Sequence, residues 1–190
     1  MKIISQNITN YGIEVPNDII FRINLAWCNS IDDLKIILQK HENDKIFLDL
    51  PIKRIKPPHN KYNLDDLVPI IQKNKQVKYF AISNVESSND LSIFVEKIPD
   101  WVNLVPKIES PQAVENISDI VSGIPTKEKM IMLDHDDLFS KLVKNNESKE
   151  NFKFYIQKLV DYCNSNNIVL LRTIGVIFGD EEKKVSDYMS

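Results

Sequence analysis

The chain has 190 residues, of which 43% are hydrophobic and 27% charged, with a formal net charge of -3. That length suits one well-buried core and is short for two. Nearly balanced charge excludes the strong positive field that nucleic acid or anionic lipid calls for, so neither is expected as a partner. Cys28 and Cys163 fall in different predicted elements, without disulfide or metal-ligand spacing. No cleavable signal or long apolar span is recognisable. These features predict a cytoplasmic protein with reduced thiols.

In chain order, a short apolar strand at 2–5 runs into Ser5-Gln6-Asn7-Ile8-Thr9, which lacks the glycine-rich turn of a dinucleotide-binding fold. The four glycines, at 12, 123, 175 and 179, supply no phosphate-cradling loop elsewhere either. A second strand at 19–26 carries Arg22 among apolar neighbours, and Ser30 caps a helix over 31–40. A strand at 45–50 contains Asp49. Residues 53–63, with Pro57-Pro58, form a connection, and Asn63 caps a helix over 64–73. A strand at 77–83, a helix at 88–96 and a strand at 103–109 follow. Ser110-Pro111 then opens a helix to 120, with proline at its first position. The last elements are a strand at 129–133, whose apolar run Asp137-Leu138 closes, a helix over 150–164 and a strand over 168–175. We read one domain over 1–178 and a polar tail over 179–190.

Most strands are continuously apolar, the pattern of strands covered on both faces. Their alternation with helices predicts an α/β fold with a parallel sheet. Arg22, Asp49, Glu109, Asp137 and Thr173 fall at or near the C-terminal ends of different strands, where barrel active sites are built. We therefore expect a small (β/α) barrel of TIM type, incomplete at about seven strands against the usual eight. An unpaired barrel edge would invite self-association, so a homo-oligomer is expected.

Lys107 and Glu109 stand two residues apart on one strand, so they point to the same side of the sheet. Buried charges must pair, hydrogen-bond or hold a metal, which makes them site candidates; ending a strand at the solvent edge is the plain alternative. Arg22 also needs a partner. Asp49 or Glu109 on another strand would make it part of an ion network that holds the sheet without binding anything. Asp134, His135, Asp136 and Asp137 could supply oxygen ligands or a base, against solvation at a strand end. His41 and His59 suit the surface, and Trp27 and Trp101 suit packing near strand ends.

The order of motifs resembles the barrel domain of pyruvate kinase, in the superfamily of phosphoenolpyruvate- and pyruvate-binding barrels. Phe21-Arg22-Ile23-Asn24-Leu25 is similar to its second-strand Arg-x-Asn segment, and Phe47-Leu48-Asp49-Leu50 to its third strand. Residues 79–91 resemble the fourth strand and helix, and Lys107-Ile108-Glu109-Ser110 with Ala113-Val114-Glu115-Asn116-Ile117 the fifth. Ile131-Met132-Leu133 leading to Asp137-Leu138 resembles the sixth strand, and Leu171-Arg172-Thr173 the seventh. The likeness covers residues 17–178. It implies Mg²⁺ or Mn²⁺ held by Glu109 and Asp137 against a pyruvate-like ligand. Lys107 would neutralise phosphoryl or enolate charge, Arg22 would contact the anionic substrate, and Thr173 would approach the reacting carbon. Asn24 and Asp49 would match monovalent-cation ligands. Asp136 stands where the family places a glycine beside the substrate carboxylate, and Ala26 where it places a serine.

The kinase's lid domain has no room between Pro51 and the helix at Leu64, and a counterpart of its allosteric C-terminal domain is not expected. Aldolases and citrate-lyase-like enzymes of the same superfamily also lack a lid and also use a fifth-strand Glu and a sixth-strand Asp for metal. The resemblance thus implies enolate chemistry of lyase or aldolase type on a small oxo acid or phosphoenolpyruvate-like ligand. The alternatives are a non-catalytic barrel that binds a metabolite or a protein, and a residual phosphotransferase.

Overall fold

The computed structural model describes residues 3–5, 19–53 and 58–172. Seven parallel strands lie side by side in chain order: β1 (Ile3–Ser5), β2 (Ile20–Asn24), β3 (Lys45–Leu50), β4 (Val77–Ile82), β5 (Asn103–Ile108), β6 (Met130–Leu133) and β7 (Val169–Arg172). A doubly wound sheet reverses its strand order at a switch point. This order never reverses, so right-handed crossovers leave the described helices on the same face. The sheet curls without closing: β1 and β7 are its two edges, and no described strand joins them. The α/β class and the sequential parallel strands agree with expectation, whereas a complete barrel is absent among the described residues.

The two faces bury different sets of side chains. On the convex face, Ile23, Leu48, Phe80, Leu104, Ile131 and their neighbours pack against α1 (Ile31–Lys40), α2 (Leu64–Lys73), α3 (Ser92–Lys97), α4 (Pro111–Glu115), α5 (Ile117–Ser122), α6 (His135–Lys144) and α7 (Asn151–Ser165). On the concave face a smaller cluster forms from Ile20, Phe47, Ala81, Val105, Met130, Met132 and Leu171, all strand residues. The period of two along each strand then dictates what stands above that apolar layer. Two residues beyond Phe47 is Asp49, beyond Ala81 is Ser83, and beyond Val105 is Lys107, then Glu109. Polar groups therefore form the next layer at the C-terminal end of the sheet.

Local signals explain most helix starts. The Ser30 hydroxyl accepts the Asp33 N–H, Asn63 and Asp66 form a reciprocal capping box, and Ser110 accepts the Ala113 N–H ahead of Pro111. Four expectations need correction. β2 stops at Asn24, whose side-chain oxygen accepts the Ala26 N–H and opens a 3-10 turn over Leu25–Trp27. The helix expected over 88–96 is a 3-10 turn (Ser88–Leu91) followed by α3. The helix expected from 111 to 120 is interrupted at Asn116, giving α4 and α5. Asp137 closes no strand: β6 ends at Leu133, Asp134 caps the unexpected helix α6, and Asp137 lies in its first turn. Thr173, the end of the strand expected to reach 175, residues 54–57 of the connection, and the tail over 179–190 lie outside the described residues.

Candidate functional site

Four charged groups from three strands meet at the C-terminal end of the sheet. Asp49 is 1% exposed, Glu109 2% and Lys107 6%, so the pairings among them decide whether the layer is tolerable. Lys107 Nζ lies 2.8 Å from Glu109 Oε1, 3.4 Å from Asp134 Oδ2 and 3.7 Å from Asp49 Oδ2, and donates to the Ser83 hydroxyl at 3.4 Å. Arg22 donates through Nε to Asp49 Oδ2 at 3.1 Å, and its Nη2 pairs with the same oxygen. This placement follows from register: Asn24 is directly opposite Asp49, so Arg22, on the same face two residues earlier, reaches Asp49 along the diagonal.

Burial and pairing pull these groups in opposite directions. For Asp49 burial pushes the carboxyl up, but Lys107 and Arg22 together outweigh it and hold it below the usual carboxylate range. Burial likewise pushes Glu109 up; Lys107 opposes this, Asp134 adds to it, and the carboxyl remains raised. Burial would lower Lys107, yet Asp49, Glu109 and Asp134 prevail and hold the ammonium well above its ordinary value. Lys107 is therefore a fixed cation throughout the neutral range.

A cavity of about 290 Å³ opens over this layer. Asn24, Asp49, Ser83, Lys107 and Glu109 form its floor. Asp137, Ser140, Lys141 and Lys144 line one wall from α6, with Lys53 and Asn84 nearby. Glu109 is held from both sides, because its Oε2 accepts the Asn84 backbone N–H at 2.8 Å. Asn84 has φ 56°, the left-handed region that asparagine tolerates better than most residues. Its side chain donates to the Ile52 carbonyl and accepts from Lys141 Nζ at 2.6 Å.

Glu109, Asp134 and Asp137 each place a carboxylate oxygen within 4.8 Å of the others, an arrangement that could hold a metal ion. Three hard oxygen donors suit Mg²⁺, Mn²⁺ or Ca²⁺. Asp49 Oδ1 adds a separate observation: it is buried without a hydrogen-bond partner among the described residues, although its carboxylate lines the cavity. Such an atom normally costs about 1–3 kcal/mol, so a ligand, ion or water on it is expected.

The expected residues are thus only partly gathered. Lys107, Glu109, Asp137 and Asn24 face the cavity. Arg22 is tied to Asp49 and is not among the cavity-lining residues. Asp136 is exposed on the first turn of α6 and does not line the cavity. Asp134, weighed above chiefly as strand-end solvation, belongs to the acidic triad. Its Oδ1 accepts the Asp137 N–H and its own N–H donates to the Ile108 carbonyl. The spacing Asp134-x-x-Asp137 before Leu138 and Leu142 is a helix-start signal that could have found it. His135 turns outward to Arg172 Nη2 at 3.2 Å, and burial followed by the Arg172 charge lowers its pKa.

Fold and site together define an α/β protein with an all-parallel curled sheet and a mixed-charge cavity at its C-terminal end. No family model and no curated protein matches the chain. Among solved structures, RipC from Yersinia pestis is similar, with a TM-score of 0.60 and 17% identity over 85% of this chain and 72% of that one. At that identity the likeness establishes the fold alone. No helix among the described residues is long and apolar enough to cross a membrane.

Proposed function

We propose that this chain is a metal-dependent enzyme of lyase or aldolase type, built on a small pyruvate kinase-like barrel and acting on a pyruvate- or phosphoenolpyruvate-like oxo acid. The observation that carries the reading is the convergence of Glu109, Asp134 and Asp137 beside Lys107 in one cavity. Mg²⁺ or Mn²⁺ would be held by those three carboxylates, and when bound it supplies Lewis-acid stabilisation of negative charge developing on the oxo acid's oxygens.

Lys107 contributes a second positive charge. Held protonated by three carboxylates, it serves as a hydrogen-bond donor and electrostatic partner rather than as a base or amine nucleophile. Asn24 and Ser83 offer polar contacts on the floor. Arg22 acts through Asp49, fixing that carboxylate. Thr173, which the resemblance implies would approach the reacting carbon, lies outside the described residues. Phosphoryl transfer is the weaker version, because β3 ends at Leu50 and α2 begins at Leu64, leaving little chain for a nucleotide-covering domain.

A second reading, a non-catalytic barrel that binds a metabolite or a protein, is favoured by one feature. Arg22, Asp49, Lys107 and Glu109 already neutralise one another and would hold the sheet without any ligand. Isothermal titration of Mg²⁺ and Mn²⁺ with and without oxalate, an enolate mimic, separates the two, with Glu109→Gln as control. Metal-dependent oxalate binding lost in the variant supports the enzyme. Absence of any metal or oxalate binding by the intact protein would sink it in favour of the inert barrel.

A further inference from the structure

We infer that the cavity takes an oxo acid with two anionic ends, the far end being read by Lys53, Lys141 and Lys144. This rests on the function proposed above and adds the substrate class. The cavity is polarised. Asp49, Lys107 and Glu109 on the floor are buried, whereas Lys53, Lys141 and Lys144 stand at the solvent side. A ligand with a single charged end would leave that basic rim facing an apolar tail or water.

Helix α6 sets the spacing between the two ends. Asp137 in the acidic triad, Lys141 and Lys144 lie four and seven residues apart on one helix face, and all three line the cavity. At 1.5 Å per residue those lysines stand about 6 and about 10 Å further along the helix axis from the metal ligand. A chain of a few carbons separates two carboxylates by a comparable distance, whereas pyruvate has no second anionic end.

The rim lysines differ in how far they are already engaged. Lys53 lies 3.7 Å from Asp90 Oδ1, an open contact on an exposed side chain. Lys141 donates to Asn84 Oδ1 at 2.6 Å and lies 4.0 Å from Glu86. For Lys144 no hydrogen bond or ion pair occurs among the described residues, and the residue is exposed. Lys141 steadies Asn84, and through it the Glu109 contact, so Lys53 and Lys144 are the cleaner positions to change.

The test compares 2-oxoadipate, with carboxylates at both ends, and 2-oxohexanoate, of equal length with one, by isothermal titration in MgCl2. The protein is used as the wild type and as the Lys53→Met/Lys144→Met double variant. General damage to the site weakens both ligands and leaves their ratio unchanged, so the ratio is the readout. Wild type is expected to prefer 2-oxoadipate by about fivefold, as two partly exposed charge contacts permit, and the double variant to lose that preference. The preference should also shrink between about 0.05 and 0.5 M NaCl, because the rim is open to screening. Oxalate binding with no preference in wild type, or a preference that survives in the variant, overturns the two-ended substrate while leaving the proposed metal site standing. Failure of oxalate and both oxo acids to bind overturns the proposed function and this inference together.

Discussion

Lys107 Nζ lies 2.8 Å from Glu109 Oε1, and the same ammonium stands within 3.7 Å of carboxylates carried by β3 and by the cap of α6. One cation is thus shared by Asp49, Glu109 and Asp134. The strand pleat puts Lys107 and Glu109 on one side, and the curl of the sheet brings the other two carboxylates to them.

Removing that cation should be costly. Lys107→Met leaves the neighbouring carboxylates without their shared counter-charge in a layer almost closed to water, and a loss of about 3–5 kcal/mol in urea unfolding is expected. Adding Glu109→Gln to it should recover part of the loss, since one buried charge disappears. A single variant within about 1 kcal/mol of wild type would mean that the network is solvated enough to be dispensable.

Asp49 gives the pH dependence its sign. Burial works against the carboxylate, but Lys107 and Arg22 hold it below its ordinary value of 3.8. The folded state therefore binds that proton less readily than the unfolded one. The resulting stability is fully present above the unfolded value and is lost as pH falls through the folded one. Glu109, raised above its ordinary value of 4.5, works in the opposite sense and loses stability as pH rises through its folded value. Unfolding free energies of wild type and Asp49→Asn should converge as pH falls below 3.8. A gap that stays constant across that range would show that the Asp49 carboxylate is not the titrating partner.

What the sequence made legible followed from local chemistry. Continuous apolar strands announced the parallel sheet, Ser30, Asn63 and Ser110 announced their helices, and Lys107 with Glu109 announced the polar layer because a period of two needs no tertiary information. α6 was hidden because His135-Asp136-Asp137 has a polar first turn, and the apolar face begins only at Leu138. With α6 went Asp134 as a ligand and the lysines at 141 and 144. Arg22 was legible as a residue that needed a partner, but Asp49 could be chosen over Glu109 only from the register of β2 on β3.

Besides its share in the Lys107 pairing, Asp134 carries two roles that substitution can separate. Its Oδ1 caps α6 through the Asp137 N–H, and its carboxylate is one of the three that converge. Asparagine caps helices as well as aspartate does, whereas alanine does not. Both Asp134→Asn and Asp134→Ala lose the Lys107 pairing, so the cap is read from the difference between them: Asp134→Asn should weaken Mn²⁺ binding by about tenfold or more, and Asp134→Ala should lose a further ~1 kcal/mol of stability beyond it. Unchanged Mn²⁺ affinity in the asparagine variant would remove Asp134 from the metal site and leave it a cap.

Asn84 tests whether a backbone conformation positions Glu109. At φ 56° the residue directs its N–H to Glu109 Oε2 while its side chain ties Ile52 to Lys141. Asn84→Gly and Asn84→Ala both delete the side-chain bonds, but only alanine also meets the steric penalty of the left-handed region. Against that, glycine gains more freedom in the unfolded chain. The steric term is the larger, so the alanine variant should be the less stable of the two by roughly 1 kcal/mol in urea unfolding. Because glycine can keep the N–H on Glu109, it should also retain more Mn²⁺ affinity than alanine, which must twist that N–H away or remain strained. Equal stability and equal affinity in the two variants would show that the left-handed turn at Asn84 does not hold Glu109 in place.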